Sequence, residues 1–158
     1  MSNVPTSSPW LVTEPVEDLE ATTPRPFASV PRLVGAHGGA GVTLLAQLLN
    51  ARDEGRIEGV TTNSPVLLVS RTHAHGFACV RSILAARRWN ISVLLLVPDA
   101  PGKLPTKLRN EAHIVSGVVT TVAVPWVPAW REGNISEPSK PVAKFMDEIR
   151  PFIEGETR

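Results

Sequence analysis

Apolar residues along this chain fall in short unbroken runs, separated by stretches in which they recur every three or four positions. The runs are Leu33-Val34-Gly35-Ala36, Val66-Leu67-Leu68-Val69, Ile91 to Val97 and Val118 to Val124. Runs of that length with no polar alternation predict strands buried on both faces. Between them the spacing is helical. Leu44, Leu45, Leu48 and Leu49 share a face over 43–52, and Phe77, Val80, Ile83, Leu84 and Ala85 share one over 77–89. Leu104, Leu108, Ala112 and Val115 do so over 104–116, and Phe145, Ile149, Phe152 and Ile153 over 141–153, where Pro151 falls late enough to kink or end the helix. Residues 53–64 are polar and carry two glycines, which predicts a loop. Strands alternating with helices predict a three-layer α/β sandwich, a mostly parallel sheet of four to five strands with helices on both faces. Ligands in such sheets bind at the C-terminal ends of the strands. The turns at 37–43, 70–76, 98–103 and 125–130 share that edge.

Residues 1–31 do not follow this pattern. They hold six prolines (Pro5, Pro9, Pro15, Pro24, Pro26 and Pro31) and set Glu14, Glu17, Asp18 and Glu20 against Arg25 alone. Too little apolar surface is present to offset the entropy of ordering. The expectation is a flexible, Pro-rich, acidic tail ahead of a single domain over 32–158. Within the tail, Trp10-Leu11-Val12 reads either as a loose contact with the domain or as a short partner-docking motif. The formal charge of +1 therefore divides into −3 in the tail and +4 elsewhere. That is far less basic than a dedicated nucleic-acid binder, and the lack of tyrosine weakens any stacking platform for single strands. The one cysteine, Cys79, cannot form an internal disulfide. The N-terminus has no basic segment leading into an apolar core, and no apolar run approaches the roughly 20 residues that span a bilayer. These features predict a cytoplasmic protein with no membrane span.

The strongest local signal is Ala36-His37-Gly38-Gly39-Ala40-Gly41-Val42-Thr43, which joins the first strand to the first helix. Glycines let backbone N–H groups approach an anion without a Cβ in the way, and a helix start adds unpaired donors and partial positive charge. Residues 37–43 thus read as a phosphate cradle, or as a glycine turn that only packs strand against helix.

The loop resembles the deviant Walker A motif of the MinD/ParA class of P-loop ATPases, K-G-G-x-G-K-[ST]. Gly38, Gly39, Gly41 and Thr43 match, while His37 and Val42 stand at the two lysine positions. Residues 66–97 are similar to a later strand–helix–strand of that class. Val122-Ala123-Val124-Pro125-Trp126 looks like the strand and turn beside which the class seats its base. The resemblance spans about 34–130 and implies a P-loop NTPase-like fold. It also implies an anion-binding loop of His37, Gly38, Gly39, Ala40, Gly41, Val42 and Thr43, and a base-side rim of Asp99, Pro125 and Trp126. Thr43 would ligate a metal only as part of a magnesium–nucleotide complex. Valine supplies none of the charge that the P-loop lysine places on the β and γ phosphates. The expectation is accordingly no catalytic residue and no resident cofactor, with ATP–magnesium left open. For the Walker B aspartate, one alignment has its block missing between Arg52 and Pro65; the other makes Asp99-Ala100-Pro101-Gly102 the strand end. The chain also resembles the shortened MinD-like proteins of the TadZ/CpaE type and of actinobacterial mobile elements. That implies a non-catalytic interaction or positioning module in a secretion, conjugation or partition assembly. The alternatives are an atypical ATPase with a lysine-free loop and a DNA-associated accessory protein.

Other residues carry weaker chemistry. His73 and His75, with His37 and His113 elsewhere, lack a Cys, Asp or Glu at ligand spacing, so an exposed loop is expected rather than a metal site. Cys79, next to Val80, is expected to be a small buried hydrophobe. Arg81, Arg87 and Arg88 form a basic helix face, expected to be solvated, with nonspecific DNA contact as the other reading. Trp126 and Trp130 read equally as a partner or stacking surface and as a cover for the sheet end. A protein partner is expected through the tail or this tryptophan rim and nucleic acid is not; the oligomeric state is left open.

Overall fold

The computed structural model describes residues 30–136 and 139–154. The reading of residues 1–31 as a tail falls almost wholly outside them. From Pro31 onward the chain forms one compact unit. Its elements run β1 (Arg32–Gly35), α1 (Val42–Leu49), β2 (Arg52–Arg56), a 3₁₀ turn (Ile57–Gly59), β3 (Val66–Arg71), α2 (Ala74–Ala86) and β4 (Ile91–Val97). Then follow α3 (Thr106–Ser116), β5 (Thr121–Ala123), the single turn α4 (Pro128–Arg131) and α5 (Lys140–Ile153). The five strands form one all-parallel sheet in the order β2-β1-β3-β4-β5.

Period-two alternation within the central strands divides the core into two. Leu33, Leu67, Val69, Val93 and Leu95 point to one face, where Leu45 and Leu49 of α1 and Phe145 and Ile149 of α5 cover them. Val34, Leu68, Leu94 and Leu96 point to the other, under Phe77, Val80 and Ile83 of α2 and Val115 of α3. The three layers, the parallel sheet and the helices on both faces are as the sequence predicts.

The residues expected to form a loop over 53–64 depart from that expectation. Arg52–Arg56 is an edge strand, paired in parallel with β1 through Arg32 with Arg52, Leu33 with Asp53 and, beyond a bulge, Gly35 with Arg56. Being an edge, it needs no apolar face, and charges along it discourage pairing with another chain. Glu54 lies between Arg32 at 3.7 Å and Arg52 at 3.4 Å, and Gly55, at φ 77°, allows the bulge. Ile57 and Val60 then turn inward and are buried in the second core. At the other end, α5 is capped by Ser139, whose hydroxyl accepts from the Val142 N–H, and continues through Pro151 to Ile153.

Phe145 is 1% exposed and fills the space between α5 and the sheet. Phe145→Ala is expected to cost about 3–5 kcal/mol through lost contacts and a residual cavity. Ile114→Ala, at a side chain 55% exposed, is expected to cost less than about 0.5 kcal/mol. Urea melts of the two variants beside the parent check both figures.

Candidate functional site

Strand order makes one place in the sheet special. The chain leaves β1 towards β2 over the face that carries α1, and leaves β3 towards β4 over the face that carries α2. The loops after β1 and β3 therefore part to opposite sides. A crevice opens between them at the C-terminal edge, where ligands of doubly wound sheets bind. The glycine loop lies at this crevice.

Its backbone is shaped by Gly39 at φ 76° and Gly41 at φ 104°, values that L side chains resist. A Cβ at Gly38 or Gly39 would meet nothing within 4 Å, so the space above the loop is open. Gly41 caps α1 without a side-chain bond. The N–H groups of Val42, Thr43 and Leu44 have no acceptor in the first turn, as at any helix start. Among the described residues those of Gly38, Gly39 and Gly41 have none either, while the turn over Gly38 and Gly39 brings the Ala40 N–H back to the His37 carbonyl. The two side chains at the positions where the resemblance expects lysine line this space but bring no lysine charge to it. Val42 packs against the first core beside Gly35, where a Cβ would come within 3.0 Å of its Cγ2. His37 is 4% exposed. Its Nε2 accepts the Arg71 backbone N–H at 3.2 Å, which leaves the proton on Nδ1, 2.9 Å from the Gly38 carbonyl.

Polar side chains reach the loop from elsewhere. Thr43 Oγ1 donates to Asp53 Oδ2 at 2.9 Å, and the Gly55 N–H holds Asp53 Oδ1 at 2.9 Å. Asp53 lies on the edge strand that the sequence hid. Its only sequence signal is an acid directly after the helix, ten positions from Thr43. Arg71, at the end of β3, donates from Nε to the Gly39 carbonyl at 3.0 Å and from Nη1 to the Pro98 carbonyl at 3.2 Å. With Arg56, these groups and the loop surround a cavity of about 540 Å³.

A second cavity of about 380 Å³ shares Gly41, Leu44 and Arg71 with the first, and its further walls include Asp99, Pro125, Trp126, Trp130 and Arg131. The fold thus brings Asp99, Pro125 and Trp126 together beside the glycine loop. Trp130 packs on the first core and covers the sheet end, whereas Trp126 faces the cavity with the Arg131 guanidinium 5.2 Å from its ring centre. Neither tryptophan stands out as an exposed patch.

The histidines meet more closely than their spacing suggested. The rings of His37, His73 and His75 lie 5.0, 5.7 and 6.1 Å apart, centre to centre. Both nitrogens of His37 are already engaged, and His73 Nδ1 caps α2 by accepting the Gly76 N–H at 2.9 Å. No group of three potential ligands able to hold a metal occurs among the described residues. Cys79 is half-buried rather than buried, with its sulfur 3.5 Å from His75 Nε2. The basic face of α2 is partly occupied: Arg81 pairs with Glu111 at 3.5 Å, and Arg88 lies 5.0 Å over the ring of Trp89. No described helix is long and apolar enough to cross a membrane.

Burial, first of all, holds the His37 imidazolium below its usual range. The Gly38 carbonyl opposes that shift, and the nearby His73, His75 and Arg71 reinforce it. The folded protein therefore keeps His37 neutral at a pH where the unfolded chain has protonated it. The linked stability is full above the ordinary histidine value of about 6.5 and falls as pH drops below it. Thermal melts between about pH 7.5 and 5.5 are expected to show this loss, at most about 1.4 kcal/mol per pH unit from this group. His37→Gln, which keeps an acceptor for the Arg71 N–H and takes up no proton, is expected to flatten the profile.

No curated protein and no solved structure matches the chain. A family match covers residues 30–144, which takes in the whole sheet, the glycine loop, Asp53, Arg71 and both cavities. The chain belongs to DUF6668, a family of unknown function.

Proposed function

We propose that this protein is a P-loop-like binding module that takes a magnesium–nucleotide at the glycine loop and does not hydrolyse it efficiently. The observation that carries the reading is the hydrogen bond from Thr43 to Asp53, at the first turn of α1 and beside a row of free amides. P-loop NTPases hold magnesium with a loop Ser or Thr and an acid from a neighbouring strand. Thr43 and Asp53 form that pair. The carboxylate is oriented from both sides, by the Thr43 hydroxyl and the Gly55 amide. The cavity beyond Arg71, walled by Asp99, Pro125 and Trp126, has the size and aromatic lining to take a base.

The limit on turnover follows from the same geometry. No lysine stands at either motif position, and the one carboxylate lining the cradle is already bonded to Thr43. A transition state with charge spreading over the γ-phosphate would lack both its usual cation and a group to orient the attacking water. A module that binds without turnover suits the positioning or interaction role implied by the resemblance to MinD/ParA-like proteins. Ligand occupancy would then mark which state of an assembly the domain joins.

Thermal shift with ATP, ADP and inorganic phosphate, each with and without magnesium, tests this. ATP–magnesium is expected to stabilise the protein, by about 2.7 kcal/mol at a hundredfold excess over Kd. Thr43→Ala is expected to remove the magnesium-dependent part, and phosphate release is expected to stay at background. A flat response to every ligand would overturn the binding reading. Turnover lost in Thr43→Ala would overturn the non-catalytic one.

A further inference from the structure

The loop lacks a lysine, yet a phosphate chain needs a cation. We infer that Arg71 is the cation of the cradle, gripping the anionic part of a polyphosphate ligand in place of the missing lysine; this rests on the binding reading above. Strand register places it there. Gly35 pairs with Val69, and the Ala36 N–H donates to the Val69 carbonyl, so residue 71 comes level with His37. Alternation puts Arg71 on the same face as Leu67 and Val69, the face that α1 covers. Its side chain therefore runs along the loop rather than towards α2. On the opposite side of the strand, Ser70 is fully buried, and a Cβ at Gly76 would collide with the Arg71 carbonyl. The backbone at 71 is fixed from that side.

The guanidinium is also in a suitable electrostatic state. It is half-buried and forms no ion pair among the described residues. Arg56, the other cation of the cradle, is paired with Glu58 at 3.2 Å. Arg71 instead rests on two carbonyls, those of Gly39 and Pro98, through Nε and Nη1. Carbonyl contacts orient the fork without cancelling its charge, and Nη2 takes part in neither bond. Arg71 is one of three residues that wall both cavities. A single ligand reaching from the glycine loop towards Trp126 has to pass it. An arginine fork binds two phosphate oxygens at once, which a lysine at 42 would not do. The anchoring carbonyl of Pro98 adjoins Asp99, so a guanidinium drawn to phosphate would also loosen its hold on the 98–99 turn.

The experiment is calorimetric titration of the full chain with inorganic pyrophosphate and with ATP–magnesium, at low and at physiological salt. Arg71→Gln is expected to weaken both by roughly ten- to a hundredfold, the worth of one charged hydrogen-bonded contact. It is also expected to make the fall of affinity with salt shallower, since one fewer charge meets the ligand. Arg71→Lys is expected to recover part of the affinity and the parent's salt dependence, because it keeps the charge and loses the fork. Thermal melts of the ligand-free variants confirm that each is folded. If the parent binds and Arg71→Gln binds as tightly, the assignment is overturned while the binding reading stands. If Arg71→Gln weakens binding with an unchanged salt dependence, Arg71 only shapes the loop and the assignment is overturned as well. If the parent binds neither probe, the binding reading falls and this one with it.

Discussion

Three central strands that are apolar on both sides leave the chain no choice but to cover a sheet twice. Leu33 and Val34, Leu67 and Leu68, and Leu94 and Leu95 are neighbours in sequence that face opposite cores. At about 25 cal/mol per Å² of apolar surface removed from water, neither face can be left bare in a domain of this size. Helices must therefore go to both sides. The chain leaves β1 for β2 over one face and leaves β3 for β4 over the other. The crevice at the edge of β1 and β3 is a by-product of that burial, and the glycine loop, Asp53 and Arg71 lie along it.

The same burial decides what the two motif positions can be. His37 enters the protein interior, where a charged ring would be costly, so it serves as a neutral acceptor for the Arg71 amide and holds the end of β3 against the loop. Val42 closes the first core over Gly35. Both side chains contribute to packing, and both line the cradle without bringing a lysine charge to it.

Much of this is legible without a structure. Doubly buried strands announce themselves by unbroken apolar runs, and α1, α2 and α5 by helical spacing, because burial on a known face imposes a period. The glycine loop is legible because positive φ restricts residue choice at Gly39 and Gly41. What stays hidden has no such period. Arg52–Arg56 is an edge strand, polar throughout, held by backbone pairing that any sequence can make. Asp53 is concealed with it. Arg71 looks like the first residue of a turn, and only the register of β3 against β1 reveals that it lies level with the loop. The contact of His37 with His73 and His75 is hidden likewise, since it joins residues more than thirty positions apart.

Whether a glycine loop is an active site or inherited architecture depends on which groups around it still have unmet needs. Here the amides of Gly38, Gly39 and Gly41 lack acceptors in addition to those that every helix start leaves open, and an arginine rests on carbonyls without an acid. The one acid, Asp53, is engaged with a hydroxyl and an amide and leaves that guanidinium alone. Donors, a cation and an oriented carboxylate are thus kept separate around open space, at the cost of bonds they could otherwise make with one another. The ligand proposed above, a polyanion with a divalent cation, would complete that arrangement. It gives no comparable preparation for the attack of water, which is why the function proposed above is binding rather than turnover.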